Sequence, residues 1–392
     1  EYPRFKMCSC IDIRDEDSVS VYVKQEVPIL KSKDDVTNLI SIVKEEILSA
    51  PESRDKRKEL VRQLIQLRLT ALELEELEVD GKIIPETCFT KGHKFILCKN
   101  SFIDHQVCET CHSIIWGFVV PWYKCSDCSY ASHKRCLNFI HRECVYSLPE
   151  ESCCYTLDIC PEEGLSSQQY RCEECHRKLY PYSLEVPKLC DYNGKYYCSG
   201  CHQDDMAIIP ARVIHGWDFA PRKVCRKSKQ LLNMMFSRPI LKISEVNNML
   251  FTFVDELNYI KKMRVEFLSI MKYVKLCRKV TPAEYYSDLN KRPHFFDNSD
   301  HYSLQDLIDC ATGALWFELK PIQNKYLGHI RSCDLCYGRG YLCEVCGNNE
   351  VIFPFDDGTV PCEVCNSVSH VMCYSRTQGT CPKCNRRERT AQ

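Results

Sequence analysis

The sequence predicts an α+β protein: several small metal-stabilised modules joined to a mainly helical block, with helices near the N-terminus. Three observations predict it. The 392 residues include 30 cysteines, most of them in Cys-x-x-Cys pairs. The pairs gather in three stretches, 93–144, 172–202 and 333–384. Residues 34–80 and 225–330 are poor in cysteine, and their apolar residues recur at helical spacing.

Two thiolates two residues apart on a tight turn face one tetrahedral zinc ion, and two such turns close its shell. The ion then substitutes for the core that a small module lacks. A secreted disulfide scaffold is the alternative at this cysteine density. Against it stand His residues at ligand spacing, the absence of an apolar signal core at Glu1-Tyr2-Pro3-Arg4, and a pair spacing unsuited to bridging distant strands. Zn2+ in a reducing compartment is therefore the expected cofactor. Lys and Arg (52) balance Asp and Glu (53), so no global field draws the chain to nucleic acid, and none is expected as a partner. No run of about 18 apolar residues is present, so no membrane-spanning helix is expected.

Residues 1–33 carry mixed charge and no pattern, and are read as an irregular N-terminal segment. Residues 34–80 read as a helical hairpin or short coiled coil. Asp34 or Asp35 caps a first helix through Val36, Leu39, Ile40, Val43 and Ile47, and Pro51 ends it. A second helix starts after Ser53 and runs to about Val79, with a four-three seam of Leu60, Leu64, Leu67, Ala71 and Leu74. That seam serves a hairpin packed on itself or a dimer, and its shortness favours the hairpin. Residues 150–170 are read as a strap carrying Cys153, Cys154 and Cys160. In 225–330, Leu231, Leu232, Met235 and Phe236, then Leu250, Phe253, Val254, Leu257, Ile260 and Met263, are read as core stripes. Ser303 caps a helix through Leu304, Leu307 and Ile308.

The first module orders its ligands as His93, Cys108, Cys111, Cys125, Cys128, His133, Cys136 and Cys144, with gaps of 14, 2, 13, 2, 4, 2 and 7 residues. With His93-x-Phe95 and Trp116-Gly117-Phe118, it resembles the phorbol-ester/diacylglycerol-type cysteine-rich domain. The resemblance implies interleaved zinc sites. His93, Cys125, Cys128 and Cys144 hold one ion; Cys108, Cys111, His133 and Cys136 hold the other. Lipid-responsive members carry Pro-Thr-Phe and Gln-Gly where this chain has His105-Gln106-Val107 and Val120-Pro121-Trp122, so the module is atypical. The apolar run Phe118–Tyr123 suits either a peripheral membrane contact or packing within the protein.

Cys172, Cys175, Cys198 and Cys201 have the spacing of a zinc ribbon. His176 and His202 follow ligands directly and could substitute for one, although solvent-exposed neighbours are the expected reading. Cys343, Cys346, Cys362, Cys365, His370, Cys373 and Cys381 have gaps of 2, 15, 2, 4, 2 and 7, nearly those of the first module from its second ligand. By that likeness Cys343, Cys346, His370 and Cys373 form one site. Cys362, Cys365 and Cys381 form another, with Cys384 in place of the leading His. Cys333 and Cys336 then need two partners. His329 is one candidate, the fourth ligand is unassigned, and re-pairing within the cluster stays open. Five to six ions are expected in all. Cys8, Cys10, Cys153, Cys154, Cys160, Cys190, Cys225, Cys277 and Cys310 are left without a role.

Residues 190–198 (CDYNGKYYC), 209–224 (IPARVIHGWDFAPRKV), 302–307 (YSLQDL), 340–346 (GYLCEVC) and 353–356 (FPFD) are similar to the Rubicon-homology domain, over roughly 150–390. The resemblance implies a non-enzymatic cytosolic adaptor. It would bind a late-endosomal Rab GTPase in its GTP form, together with other trafficking adaptors, at the surface of late endosomes and lysosomes. It would act in lysosome positioning, endosome-lysosome traffic or autophagy. The helical block and Trp217-Asp218-Phe219 are candidates for the contact, although the size of Trp217 favours burial. Two other readings remain. The ending Cys381-Pro382-Lys383-Cys384 suits a RING- or PHD-like ubiquitin ligase, and the first finger suits a lipid sensor. No glycine-rich phosphate loop or nucleophile motif points to other enzymes.

Overall fold

The computed structural model describes residues 33–49, 54–80, 85–98, 106–115, 120–149, 154–180, 186–281, 283, 287–288 and 292–391. The described residues divide into two compact units, those of 33–212 with 219–235, and those of 213–218 with 236–391.

In the first unit, helices α1 (Lys33–Ser49) and α2 (Arg54–Asp80) pack through Val36, Leu39, Val43 and Leu67, flanked by Leu60, Leu64, Ala71 and Leu74. The four-three seam is therefore used within the chain. Strands β1 (Thr87–Thr90), β2 (His93–Cys98), β3 (Trp122–Cys125) and β4 (Ala131–His133) form an antiparallel sheet in sequence order. The register sets Phe95 against Cys125 and Trp122 against His133, so the sheet carries ligands from three of its strands. Two cores flank it. Phe95, Tyr123, Tyr130, Ile140 and Val145 surround one cluster of thiols; Ile115, Trp122 and Ala131 surround another. Val120, Trp122 and Tyr123 are buried, so the described part of the apolar loop packs inward. Phe118, Val119 and the Trp116-Gly117 step lie outside the described residues, as do Cys8, Cys10 and Cys153.

The strap after residue 153 is pinned: the Tyr155 hydroxyl donates to the Met235 carbonyl at 2.9 Å, and the Thr156 amide donates to the Tyr192 hydroxyl at 2.9 Å. Two short hairpins follow, β5 (Lys188–Leu189) with β6 (Tyr196–Tyr197) and β7 (Asp205–Ala207) with β8 (Arg222–Val224). Helix α3 spans Pro210–Gly216 and α4 spans Arg226–Met235. Leu231 of α4 packs on the Phe95 core, and the Gln230 amide donates to the Cys128 carbonyl at 2.9 Å. Trp217 is half-buried with a φ of 51°, which corrects the expectation of a buried anchor.

The second unit is a helical block followed by two small hairpins. Strands β9 (Leu241–Lys242) and β10 (His301–Tyr302) pair across helices α5 (Ile243–Asn247), α6 (Leu250–Phe253) and α7 (Asp255–Val274). Leu257, Ile260, Met263, Phe267 and Ile270 give α7 one buried stripe, as its 3.6-residue period requires. Arg264 is also buried on α7, between the rings of Phe295 at 4.1 Å and Tyr302 at 4.2 Å, where cation–π attraction offsets part of its desolvation. Helices α8 (Leu304–Ala311), α9 (Ala314–Ser332) and α10 (Asp334–Tyr337) follow. The last hairpins are β11 (Tyr341–Leu342) with β12 (Val351–Ile352) and β13 (Thr359–Pro361) with β14 (Val368–His370), before α11 (Val371–Arg376) and α12 (Pro382–Ala391).

Ser303 caps α8 in a reciprocal box. Its hydroxyl accepts from the Asp306 amide at 3.1 Å, and the Asp306 carboxylate accepts from the Ser303 amide at 2.7 Å. Asp306 also pairs with Arg292 and lies 2.9 Å from His294 Nε2. Burial would raise its carboxyl, but the contacts from His294, the Ser303 amide and Arg292 outweigh burial and hold it below the usual range. A depressed folded-state pKa contributes stability at neutral pH that is lost as pH falls through it. Asp306→Asn is therefore expected to cost about 1–2 kcal/mol at pH 7. Denaturant titrations of both proteins should show that difference shrinking in acid; a difference that grows would refute the assignment.

Candidate metal centres

Five of the Cys-x-x-Cys pairs share one backbone turn. The amide of the residue after the second cysteine donates to the first cysteine's carbonyl: His112 to Cys108 at 2.7 Å, Ser129 to Cys125 at 3.1 Å, His176 to Cys172 at 3.0 Å, Gly347 to Cys343 at 3.1 Å and Asn366 to Cys362 at 2.9 Å. Each residue that donates has a left-handed backbone, with φ between 55° and 65°. Asn, Gly and His tolerate that region better than branched residues do. The turn aims both thiols to the same side.

Five sets of four ligand atoms each lie within 4.8 Å of one another. They are His93, Cys125, Cys128 and Cys144; Cys108, Cys111, His133 and Cys136; Cys172, Cys175, Cys198 and Cys201; Cys277, His329, Cys333 and Cys336; and Cys343, Cys346, His370 and Cys373. A sixth set comes from the last hairpin and α12: Cys362 Sγ is 3.8 Å from Cys384 Sγ, and Cys365 Sγ is 3.6 Å from Cys381 Sγ. The first module thus brings its eight candidate ligands together in the interleaved pairing that its resemblance implied. The final cluster does the same by the quasi-repeat.

The separations test whether an ion fits. A tetrahedral ion with metal–sulfur bonds of about 2.3 Å sets its sulfurs about 3.8 Å apart, and sulfur to imidazole nitrogen about 3.5 Å apart. Cys175 and Cys198 are separated by 3.6 Å, and Cys277 and Cys333 by 3.8 Å. Cys111 is 3.5 Å from His133 Nδ1, Cys346 is 3.6 Å from His370 Nδ1, and Cys336 is 3.5 Å from His329 Nε2. These match the edge lengths that a metal-centred tetrahedron requires, and they are far too long for sulfur–sulfur bonds near 2.05 Å. All of these cysteines are free thiols.

The surroundings select the ligand atoms. His93 Nε2 is 3.1 Å from the Arg142 carbonyl, and His133 Nε2 is 3.3 Å from the Ile114 carbonyl. A proton on Nε2 leaves Nδ1 as the lone-pair atom, which faces the thiols in both cases. The thiols disturb one another strongly. Hydrogen bonding from Cys128 pulls Cys125 down to about 3, while the same interaction pushes Cys128 up. Hydrogen bonding from Cys175 and Cys201, opposed by Cys198, brings Cys172 to about 7; Cys201 rises in return. Packed thiols in which some hold protons so that others ionise are relieved by one divalent cation.

The structure corrects three expectations. Cys277 is no spare: it completes the set of His329, Cys333 and Cys336, with its Sγ 3.3 Å from His329 Nε2. His202 is fully buried beside Tyr197, not exposed, whereas His176 is exposed as expected. Cys190 is not partnerless: its Sγ accepts from the Cys225 amide at 3.3 Å, and both thiols donate to the Ser228 hydroxyl. Cys310 is buried alone within the helical block.

A buried ion-pair network ties the modules of the first unit together. Arg142 Nη2 pairs with Glu109, and its Nη1 lies 3.1 Å from Glu174; both belong to Cys-x-x-Cys turns, of different modules. Arg226, at the start of α4, reaches Glu109 at 3.7 Å and Asp205 at 3.3 Å. The Arg142 guanidinium stacks 4.8 Å over the Tyr130 ring, and its pKa rises through the two carboxylates despite burial.

With this geometry in hand, comparison with known proteins is informative. Residues 188–389 match the model of the Rubicon Homology Domain, and residues 93–147 match that of the phorbol esters/diacylglycerol binding domain (C1 domain). Cys172 and Cys175 lie outside both matches, although they complete a set with Cys198 and Cys201. Over 374 residues the chain is 36% identical to the Differentially expressed in FDCP 8 homolog of Drosophila melanogaster, covering 90% of this chain and 75% of that protein. The homolog of the same name in Caenorhabditis elegans is 32% identical over 340 residues, 84% of this chain and 70% of that one. Pleckstrin homology domain-containing family M member 3 of Xenopus laevis is 37% identical over 228 residues, 58% of this chain and 30% of that protein.

Proposed function

The chain belongs to the Rubicon homology family, and from that membership we propose that it is a non-enzymatic adaptor that binds a Rab GTPase of the late endosome or lysosome in its GTP form. The process served is lysosome positioning, endosome-lysosome traffic or autophagy, at the cytoplasmic face of those membranes. The observation that carries the reading is the match over residues 188–389. The four-ligand sets support the non-enzymatic part. Each would hold Zn2+ through four protein atoms, and a closed shell has no position for a substrate or an activated water. In that reading zinc is scaffolding, about six ions per chain. Metal analysis of purified protein finding none would overturn it. No helix among the described residues is long and apolar enough to cross a membrane.

A patch in the second unit suits a protein partner. Tyr259 on α7 meets Trp316 on α9 edge to face at 6.4 Å, with Lys262 over Tyr259 and Lys320 over Trp316. Beside Trp316 on α9, Phe317 is 71% exposed. Trp and Tyr are among the residues that most often anchor protein interfaces. GTP dependence requires contacts with switch loops that the γ-phosphate orders. Affinity capture on a panel of GTP- and GDP-loaded Rabs tests the reading. One GTP-loaded late-endosomal Rab should be retained, and Phe317→Asp should weaken retention at least about tenfold. Equal capture of both nucleotide states would sink the effector assignment.

A further inference from the structure

Helix α2 carries a second apolar stripe that the hairpin does not use. Val61, Ile65, Leu69 and Leu72 are 40%, 50%, 38% and 53% exposed, while α1 packs on the Leu67 side. At about 100° per residue these four positions fall within an arc of about 80°. The same helix segregates its charge along its length. Arg54, Lys56, Arg57, Lys58, Arg62 and Arg68 lie N-terminal to Leu69, opposed by Asp55 and Glu59. Glu73, Glu75, Glu76, Glu78 and Asp80 lie C-terminal to it, with no Lys or Arg among them.

We propose that α2 pairs antiparallel with α2 of a second copy of this chain, about a twofold axis at the level of Leu67. The stripe is self-complementary about that level. Setting Ile65 beside Leu69 of the partner subunit also brings Val61 to the height of Leu72 of the partner subunit. In the same register the basic half of each helix runs along the acidic half of the other. A parallel pairing sets like charge against like, so the sequence itself selects the direction. The contact is isologous and closes at two copies. Four apolar residues spread over less than three heptads bury little surface, so the dimer is weak and dependent on concentration.

Sedimentation equilibrium of the full chain tests this, from about 1 to 100 μM, at salt low and high relative to charge screening. A dimer that weakens as salt rises is expected; a dimer strengthened by salt, or a monomer at every concentration, overturns the proposal. Ile65→Asp should raise the dimer dissociation constant at least about tenfold. Its metal content and helical circular dichroism should remain those of the parent, since the position is exposed; an unaltered dimer refutes the stripe. Direction is read by cross-linking. Val61→Cys mixed with Leu72→Cys should yield a 61–72 disulfide between chains, whereas a 61–61 disulfide from Val61→Cys alone refutes the antiparallel arrangement.

Discussion

Serine at position 277 is expected to remove one zinc ion per chain and to destabilise the second unit by about 4–5 kcal/mol, in the tail of single-substitution effects where loss of a metal falls. Cys277 follows the end of α7, while His329 and Cys333 close α9, 52 and 56 residues further along the chain. An ion among them ties the two longest helices of the unit at one end. A serine hydroxyl matches the thiol in size but does not ionise near neutral pH, so it offers the ion no anionic sulfur. The three remaining ligands then bind too weakly to hold the ends together. Cys310→Ala supplies the contrast. Cys310 is more deeply buried but lies in none of the six ligand sets, so its loss should cost about 1 kcal/mol and leave the metal count unchanged. Atomic emission on gel-filtered protein reads the count, and thermal unfolding reads the stability. An unchanged zinc count in Cys277→Ser would remove Cys277 from the set.

Cys277 also shows where sequence reasoning stops. Pairs two residues apart announce themselves because local geometry dictates their shared direction, so every Cys-x-x-Cys ligand is legible. A lone ligand is brought in by the packing of α7 on α9, which no local spacing encodes. The remaining signal was arithmetic: Cys333, Cys336 and His329 made a set of three, and a closed structural shell takes four. The helices were legible through their apolar period, although Phe253, read as core, is 77% exposed, and Ser303 was legible through its capping residues. The burial of His202 and of Trp122 was not, because both depend on neighbours distant in sequence. The half-exposure of Trp217 was missed for a different reason. Residue size predicts burial only on average, and its left-handed backbone follows from the turn after α3.

Arg142→Ala is the second large effect, at about 3–5 kcal/mol, because it strands two buried carboxylates. The Arg142 side chain is 3% exposed, and those of Glu109 and Glu174 are 7% and 11% exposed. Burial already raises the Glu174 carboxyl above its usual range, with Arg142 opposing the rise. Without the guanidinium, Glu109 and Glu174 repel each other in a site that water reaches poorly. Arg226 remains 3.7 Å from Glu109, but it is also shared with Asp205. The melting temperature should fall by roughly 10 °C. Arg142→Met combined with Glu109→Gln and Glu174→Gln should recover most of the loss, since no charge is then left unpaired. The two glutamates sit in the turns of different metal centres. The arginine variant should therefore also free residues 93–147 from the ribbon and α4, seen as new protease cleavage between residues 147 and 172. A triple variant no more stable than Arg142→Ala would show that the arginine acts through its packing on Tyr130 and not through its charge.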